Sequence, residues 1–178
     1  MQIIDYVKKQ NAPSKKSILL SVRPEWCRRI IKREKTVEVR KNRPVLEPPF
    51  KCYIYCTKSK SLIYVGEENN RILGNKTIIG EFICDRIEYL DMDSVGVGFW
   101  TKGSFTYIAD LGWNTGLTLG EFVRYTEGTM AFGWHISDLK IYDKPKRLSD
   151  FVCRKPLSRP PQNWCYVNSF EGGKNEGF

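Results

Sequence analysis

Three charged residues set close together, Lys35, Glu38 and Arg40, are the part of this sequence best suited to chemistry. A carboxylate between an ammonium and a guanidinium can orient an amine, anchor a phosphate or handle a proton, and unlike neighbours tune one another's charge. The same trio can equally be a structural ion-pair cluster that fixes a helix-to-strand junction. Side chains alternate along a strand, so Glu38 and Arg40 share a face with Thr36 while Val37 and Val39 pack on the other. Further on, Trp134 and His135 pair an indole with an imidazole, which could stack a base and read its edge. As strand neighbours they point to opposite faces, so only one of them can line a given cleft. His135 is the only histidine in the chain, which excludes mechanisms that need two.

The elements that must position these residues are legible. An apolar strand, Ile18 to Val22, runs into a short helix opened by Pro24, whose missing N–H has no intrahelical partner at that position, with Glu25 beside it at the positive end of the helix dipole. Trp26, Cys27, Ile30 and Ile31 have the spacing of a buried stripe, and Arg28, Arg29, Lys32 and Arg33 are left to face water or a polyanion. A strand over Thr36 to Arg40 follows. Lys51 to Thr57 is apolar on both faces and reads as an interior strand. The stretch from Lys76 to Leu90 reads as another, with Gly80 marking a bulge or bend. Thr118 and Glu121 have capping-box spacing for a helix reaching Tyr125. Thr129 to Tyr142 is one long strand or two broken near Ser137-Asp138, and Trp164 to Val167 is the last strand. From Asp91 to Leu117 glycines alternate with large aromatics, which predicts either a loop that closes over a cleft or a fixed hairpin covering an open end of a barrel. Many short strands with few helices argue for an α+β, mostly antiparallel small barrel and against a βαβ fold.

This run resembles the ASCH domains of the PUA-like superfamily, whose mark is Gly-x-Lys-x-x-Glu-x-Arg leading out of the first helix. It stands here as Arg33-Glu34-Lys35-Thr36-Val37-Glu38-Val39-Arg40, with Arg33 in the glycine's place. The likeness continues through Tyr53 to Lys58, Ile79 to Phe82, Ala131 to Leu139 and Arg159 to Val167, and is strongest to ASCH-type proteins that recur in bacteria and their phages. It implies a PUA-like pseudo-barrel over residues 17–168, flanked by an N-terminal tail of residues 1–16 and a disordered C-terminal tail of residues 169–178. One ASCH branch hydrolyses the acyl amide of an acetylated cytidine with a lysine and a threonine at this motif and a distant glutamate. Here the lysine position holds Lys35 and the threonine position holds Glu38, so the nucleophile is absent.

Charge points the same way as the motif. The chain carries 29 Lys and Arg against 20 Asp and Glu. Residues 1–60 hold 16 against 5, or +11, so the remainder, 13 against 15, comes to −2. Such asymmetry is the footprint of a surface that meets phosphates. The expectation is a module that binds RNA or a modified nucleotide in a basic cleft built on Arg23, Lys35, Glu38, Arg40, Lys58 and one of Trp134 or His135. The alternative is a hydrolase, either an acyl-nucleoside amidohydrolase or a metal-independent ribonuclease, with Lys35 and Glu38 as the catalytic pair. A third class, a protein-interaction module of unknown partner, would use the glycine and aromatic stretch. No cofactor or metal is expected: Cys52 and Cys56 lie on one strand face but roughly 13 Å apart, too far to share zinc. Six scattered cysteines and no apolar run of membrane-spanning length predict a cytoplasmic protein with reduced thiols and no membrane partner.

Overall fold

The computed structural model describes residues 16–92, 97–101, 104–107, 114–153 and 156–168. Both tails expected from the sequence lie outside these apart from Lys16, which opens the first strand. In chain order the principal elements are β1 (Lys16–Val22), α1 (Pro24–Ile31), β2 (Val37–Arg40), β3 (Phe50–Cys56), β4 (Tyr64–Val65), β5 (Ile72–Leu73), β6 (Ile78–Met92), β7 (Val97–Thr101), β8 (Ser104–Tyr107), α2 (Leu119–Thr126), β9 (Ala131–Lys146) and β10 (Trp164–Asn168). No described helix is long and apolar enough to cross a membrane.

The main sheet pairs β10-β1-β3-β6-β9-β2, with β7 and β8 extending from the end of β6. Among the described strands only β1 and β3 run parallel; α1 and β2 form the crossover that such a pair requires. Among the described residues the sheet does not close through its backbone: β2 pairs only with β9, and β10 only with β1. Side chains span the gap instead. Arg40 on β2 donates to the Ser21 carbonyl at 2.9 Å and to Asn163 Oδ1 at 2.5 Å, and the Trp164 indole donates to Asn42 Oδ1 at 2.8 Å. This is the α+β pseudo-barrel.

β3 is buried on both faces, as its composition predicts. Cys52, Ile54 and Cys56 join one cluster with Ile18, Leu20, Phe82 and Trp134, while Tyr53 and Tyr55 join another with Leu19, Ile78 and Phe151. β6 and β9 are long because bulges let them bend. The register slips at Gly80, where a Cβ would meet the Lys140 carbonyl at 2.5 Å. An extra residue at Asp138, with φ 47°, bends β9 without ending it, so of the two alternatives the structure has the one long strand, with a bulge near Ser137-Asp138. Between 91 and 117 the described residues form the β7–β8 hairpin, which extends from β6, and at 114–117 the approach to α2; Gly96, Gly103, Gly112 and Trp113 lie outside the described residues. The short β4–β5 hairpin was not foreseen.

Arg33, which stands where the resembling family has glycine, takes φ 60°, the left-handed conformation that glycine adopts without strain. It ends the turn after α1, and its guanidinium reaches the Leu139 carbonyl at 3.3 Å. Thermal unfolding of Arg33 variants checks this: Arg33→Gly should not lower Tm, whereas the β-branched Arg33→Val should cost on the order of 1–2 kcal/mol.

Candidate functional site

α1 ends at Ile31, and the tight turn through Arg33 delivers Lys35 to the start of β2, where the alternation of Val37 and Val39 into the core leaves Glu38 and Arg40 on the opposite face. All three charged residues are nevertheless buried: Lys35 is 3% exposed, Glu38 6% and Arg40 6%. Glu38 Oε1 lies 2.9 Å from Arg40 Nη2, and Oε2 lies 3.2 Å from Lys35 Nζ. Oε2 is within range of charge attraction to Lys35 but makes no hydrogen bond, and Arg40 Nε is likewise buried without a partner. Lys35 Nζ donates instead to the Thr115 carbonyl and sits 5.5 Å from the centre of the Trp26 ring. Burial pulls the Lys35 ammonium below its ordinary value, and Glu38 partly opposes this.

The trio forms the floor of a cleft of about 820 Å³. Its walls come from the end of β1 (Ser21, Val22, Arg23), from Trp26 of α1, from Lys41 and Asn42 after β2, from Glu121, Arg124 and Tyr125 of α2, and from Gln162 and Asn163 before β10. Five cations (Arg23, Lys35, Arg40, Lys41, Arg124) face two acids (Glu38, Glu121), a balance of +3. α2 is placed there by its capping box: Thr118 Oγ1 accepts from Glu121 N at 3.2 Å, and Glu121 Oε2 accepts from Thr118 N at 2.9 Å. The segment leading into it is tied to the motif, because Asn114, Thr115 and Gly116 offer their carbonyls to Thr36 N, Lys35 and Arg29.

Four residues singled out from the sequence, Arg23, Lys35, Glu38 and Arg40, are brought together in this cleft. Three are not. Lys58 is exposed one residue beyond the lining Thr57. Trp134 is 0% exposed and packs edge-on against Phe50 in the core, so it offers no face to a ligand. His135 lies in a separate cavity of about 360 Å³ with its Nε2 2.5 Å from Glu88 Oε2. Much of the basic face of α1 is also committed to structure: Arg28 donates to the Leu62 carbonyl, Arg29 to Gly116 and Arg33 to Leu139. Sequence reasoning missed Lys41, Asn42, Arg124, Tyr125, Gln162 and Asn163. Capping at Thr118 placed α2, but no local signal says that this helix or the segment before β10 meets β2.

All six cysteines are free thiols. Burial pushes Cys84 up to about 12 and Cys165 up to about 11, which keeps both protonated and poor nucleophiles. Among the described residues no group of three or more His, Cys, Asp and Glu side chains is placed to hold a metal ion.

The fold is that of the ASCH protein from Zymomonas mobilis. The crystal structure of that protein matches with a TM-score of 0.57 and 20% identity, over 87% of this chain and 90% of that one. A serine-to-alanine mutant of it matches with a TM-score of 0.57 and 20% identity, over 88% of this chain and 92% of that one. A tyrosine-to-phenylalanine mutant matches with a TM-score of 0.56 and 19% identity, over 85% and 90%. No protein-family model matches the sequence, and no curated protein matches it.

The buried trio gives a stability prediction. Glu38→Gln leaves two buried cations facing each other without their shared carboxylate, which should cost about 3–5 kcal/mol in urea unfolding. Lys35 adds a pH dependence. Between its lowered native value and the ordinary 10.5, the unfolded chain holds more protons at this site than the native one, so stability rises with pH across that window. Wild type should therefore gain stability relative to Lys35→Met as pH is raised towards 10.5.

Proposed function

We propose that this chain, with its ASCH fold, is a binding module for RNA or a nucleotide, and that the cleft above Lys35, Glu38 and Arg40 is where the ligand sits. The observation that carries the reading is the lining of that cleft. Exposed cations at Arg23 and Arg124, with Lys41, which pairs with Glu127 at 2.7 Å and lies 5.8 Å over the Tyr125 ring, line the cleft together with a half-buried Trp26 and a Tyr125 that is 37% exposed, so cations for phosphate and a flat apolar surface occur within one concavity. Five cations against two acids give that concavity a sign that attracts a polyanion. Stacking on an aromatic ring is sequence-tolerant and suits an unpaired base.

Within this reading the trio organises the cleft and does not react. Glu38 is held by two cations and Lys35 by a carbonyl and a carboxylate, so neither approaches a substrate without breaking a buried pair. The hydrolase reading keeps one observation in its favour: a lysine whose ammonium is disfavoured by burial is the kind that serves as a base. Both readings meet in one assay. Single-stranded RNA should bind with an affinity that falls roughly tenfold or more between about 50 and 200 mM salt. The combined change Arg23→Ala and Arg124→Ala should weaken binding and flatten that slope. Neither RNA nor an acylated nucleoside should be turned over; turnover that Lys35→Met abolishes would favour the hydrolase.

A further inference from the structure

The hydrogen-bond polarity along the cleft's rim is fixed by groups that can only donate. Arg40 Nη1 donates to Asn163 Oδ1 at 2.5 Å, and a guanidinium has no acceptor, so the Asn163 amide must present its oxygen to Arg40 and its Nδ2 to the other side. That Nδ2 donates to Asn42 Oδ1 at 3.0 Å. The indole of Trp164 is also a donor only, and its Nε1 reaches the same Asn42 oxygen at 2.8 Å. Two independent donors therefore hold Asn42 Oδ1, and the Asn42 amide cannot flip without leaving both unpaired. The bonds to Asn42 both end on Oδ1, its Nδ2 meets no acceptor among the described residues, and the exposed Asn42 side chain lines the cleft.

We infer that Asn42 is a specificity-determining residue of the cleft, an amide restricted to donating, which selects a nucleobase with a keto oxygen or paired acceptors over adenine. The inference rests on the nucleotide-binding reading and refines it. An asparagine ordinarily reads adenine by donating to N7 while accepting from the N6 amino group. Asn42 has lost the accepting half of that pairing to Trp164 and Asn163. What remains, a nitrogen with two hydrogens, matches acceptors such as O6 and N7 of guanine or the keto oxygens of uracil. Phosphate oxygens accept as well, but Arg23 and Arg124 supply charged donors for them on the same walls.

The test uses single-stranded RNA pentamers that differ only in the central base, with dissociation constants measured for wild type and for Asn42→Asp. Aspartate keeps an oxygen for Trp164 and Asn163 while replacing the free N–H donors with an acceptor. Its added charge acts equally on every pentamer, so the ratio between bases is the readout. Wild type should prefer central guanine or uracil over adenine by roughly tenfold, the size of one well-made base contact. Asn42→Asp, with Tm close to wild type, should abolish or reverse that ratio. A wild type without base preference, a preference that survives Asn42→Asp, or a uniform loss across all pentamers would overturn the inference while leaving nucleotide binding standing. Failure of the wild type to bind any pentamer would overturn the proposed function and this inference with it.

Discussion

A single buried carboxylate, Glu38, is the constraint on which the arrangement depends. Its two oxygens face Arg40 at 2.9 Å and Lys35 at 3.2 Å in a site where all three side chains are almost wholly removed from water. Charges buried at that cost persist only when paired, so each member holds the others in place. Lys35 is thereby pinned against the Thr115 carbonyl, which fixes the approach to α2, and Arg40 is aimed across the gap between β2 and the end of β1. The sheet lacks a ladder of backbone bonds between β2 and β10, and the Arg40, Asn163, Asn42 and Trp164 contacts stand in for it.

The same economy of parts shapes the cleft. Because the sheet closes through side chains, the seam leaves a concavity where a paired barrel would have continuous strands. The residues of the seam become its floor and rim. Charges buried in the trio do structural work, and the exposed cations of the lining, Arg23, Lys41 (paired with Glu127 at 2.7 Å) and Arg124, come from three separate segments. The cleft is separate from the cavity of His135 and Glu88, which lies beside Thr36 and Val37 and shares none of its lining.

Local patterns carried much of this into the sequence. Pro24 and Glu25 marked the start of α1, the two-faced apolarity of residues 51–57 marked an interior strand, and Thr118 with Glu121 marked the cap of α2. Each of these depends on neighbours a few positions apart, which is why it is readable. Alternation along β2 placed Glu38 and Arg40 on one face, yet said nothing of their burial, because that is decided by Ser21, Thr115 and Asn163, remote in sequence. The basic residues Arg28, Arg29, Lys32 and Arg33 are exposed, as their spacing predicts, but three of them also donate to carbonyls remote in sequence, at Leu62, Gly116 and Leu139, which no local pattern announces. Trp134 and His135 could be assigned opposite faces from strand geometry alone; which face was core followed only from the packing of Phe50 and Trp164 around the indole.

Arg40 closes the fold across the seam. Amide hydrogen exchange in Arg40→Met measures it directly, because the Ser21 amide donates to the Asn163 carbonyl at 3.0 Å on the far side of the gap. Exchange should accelerate at Ser21 and through Trp164 and Cys165 of β10, as well as in β2. Acceleration confined to β2 and its partner β9, with β1 and β10 as protected as in wild type, would contradict the account.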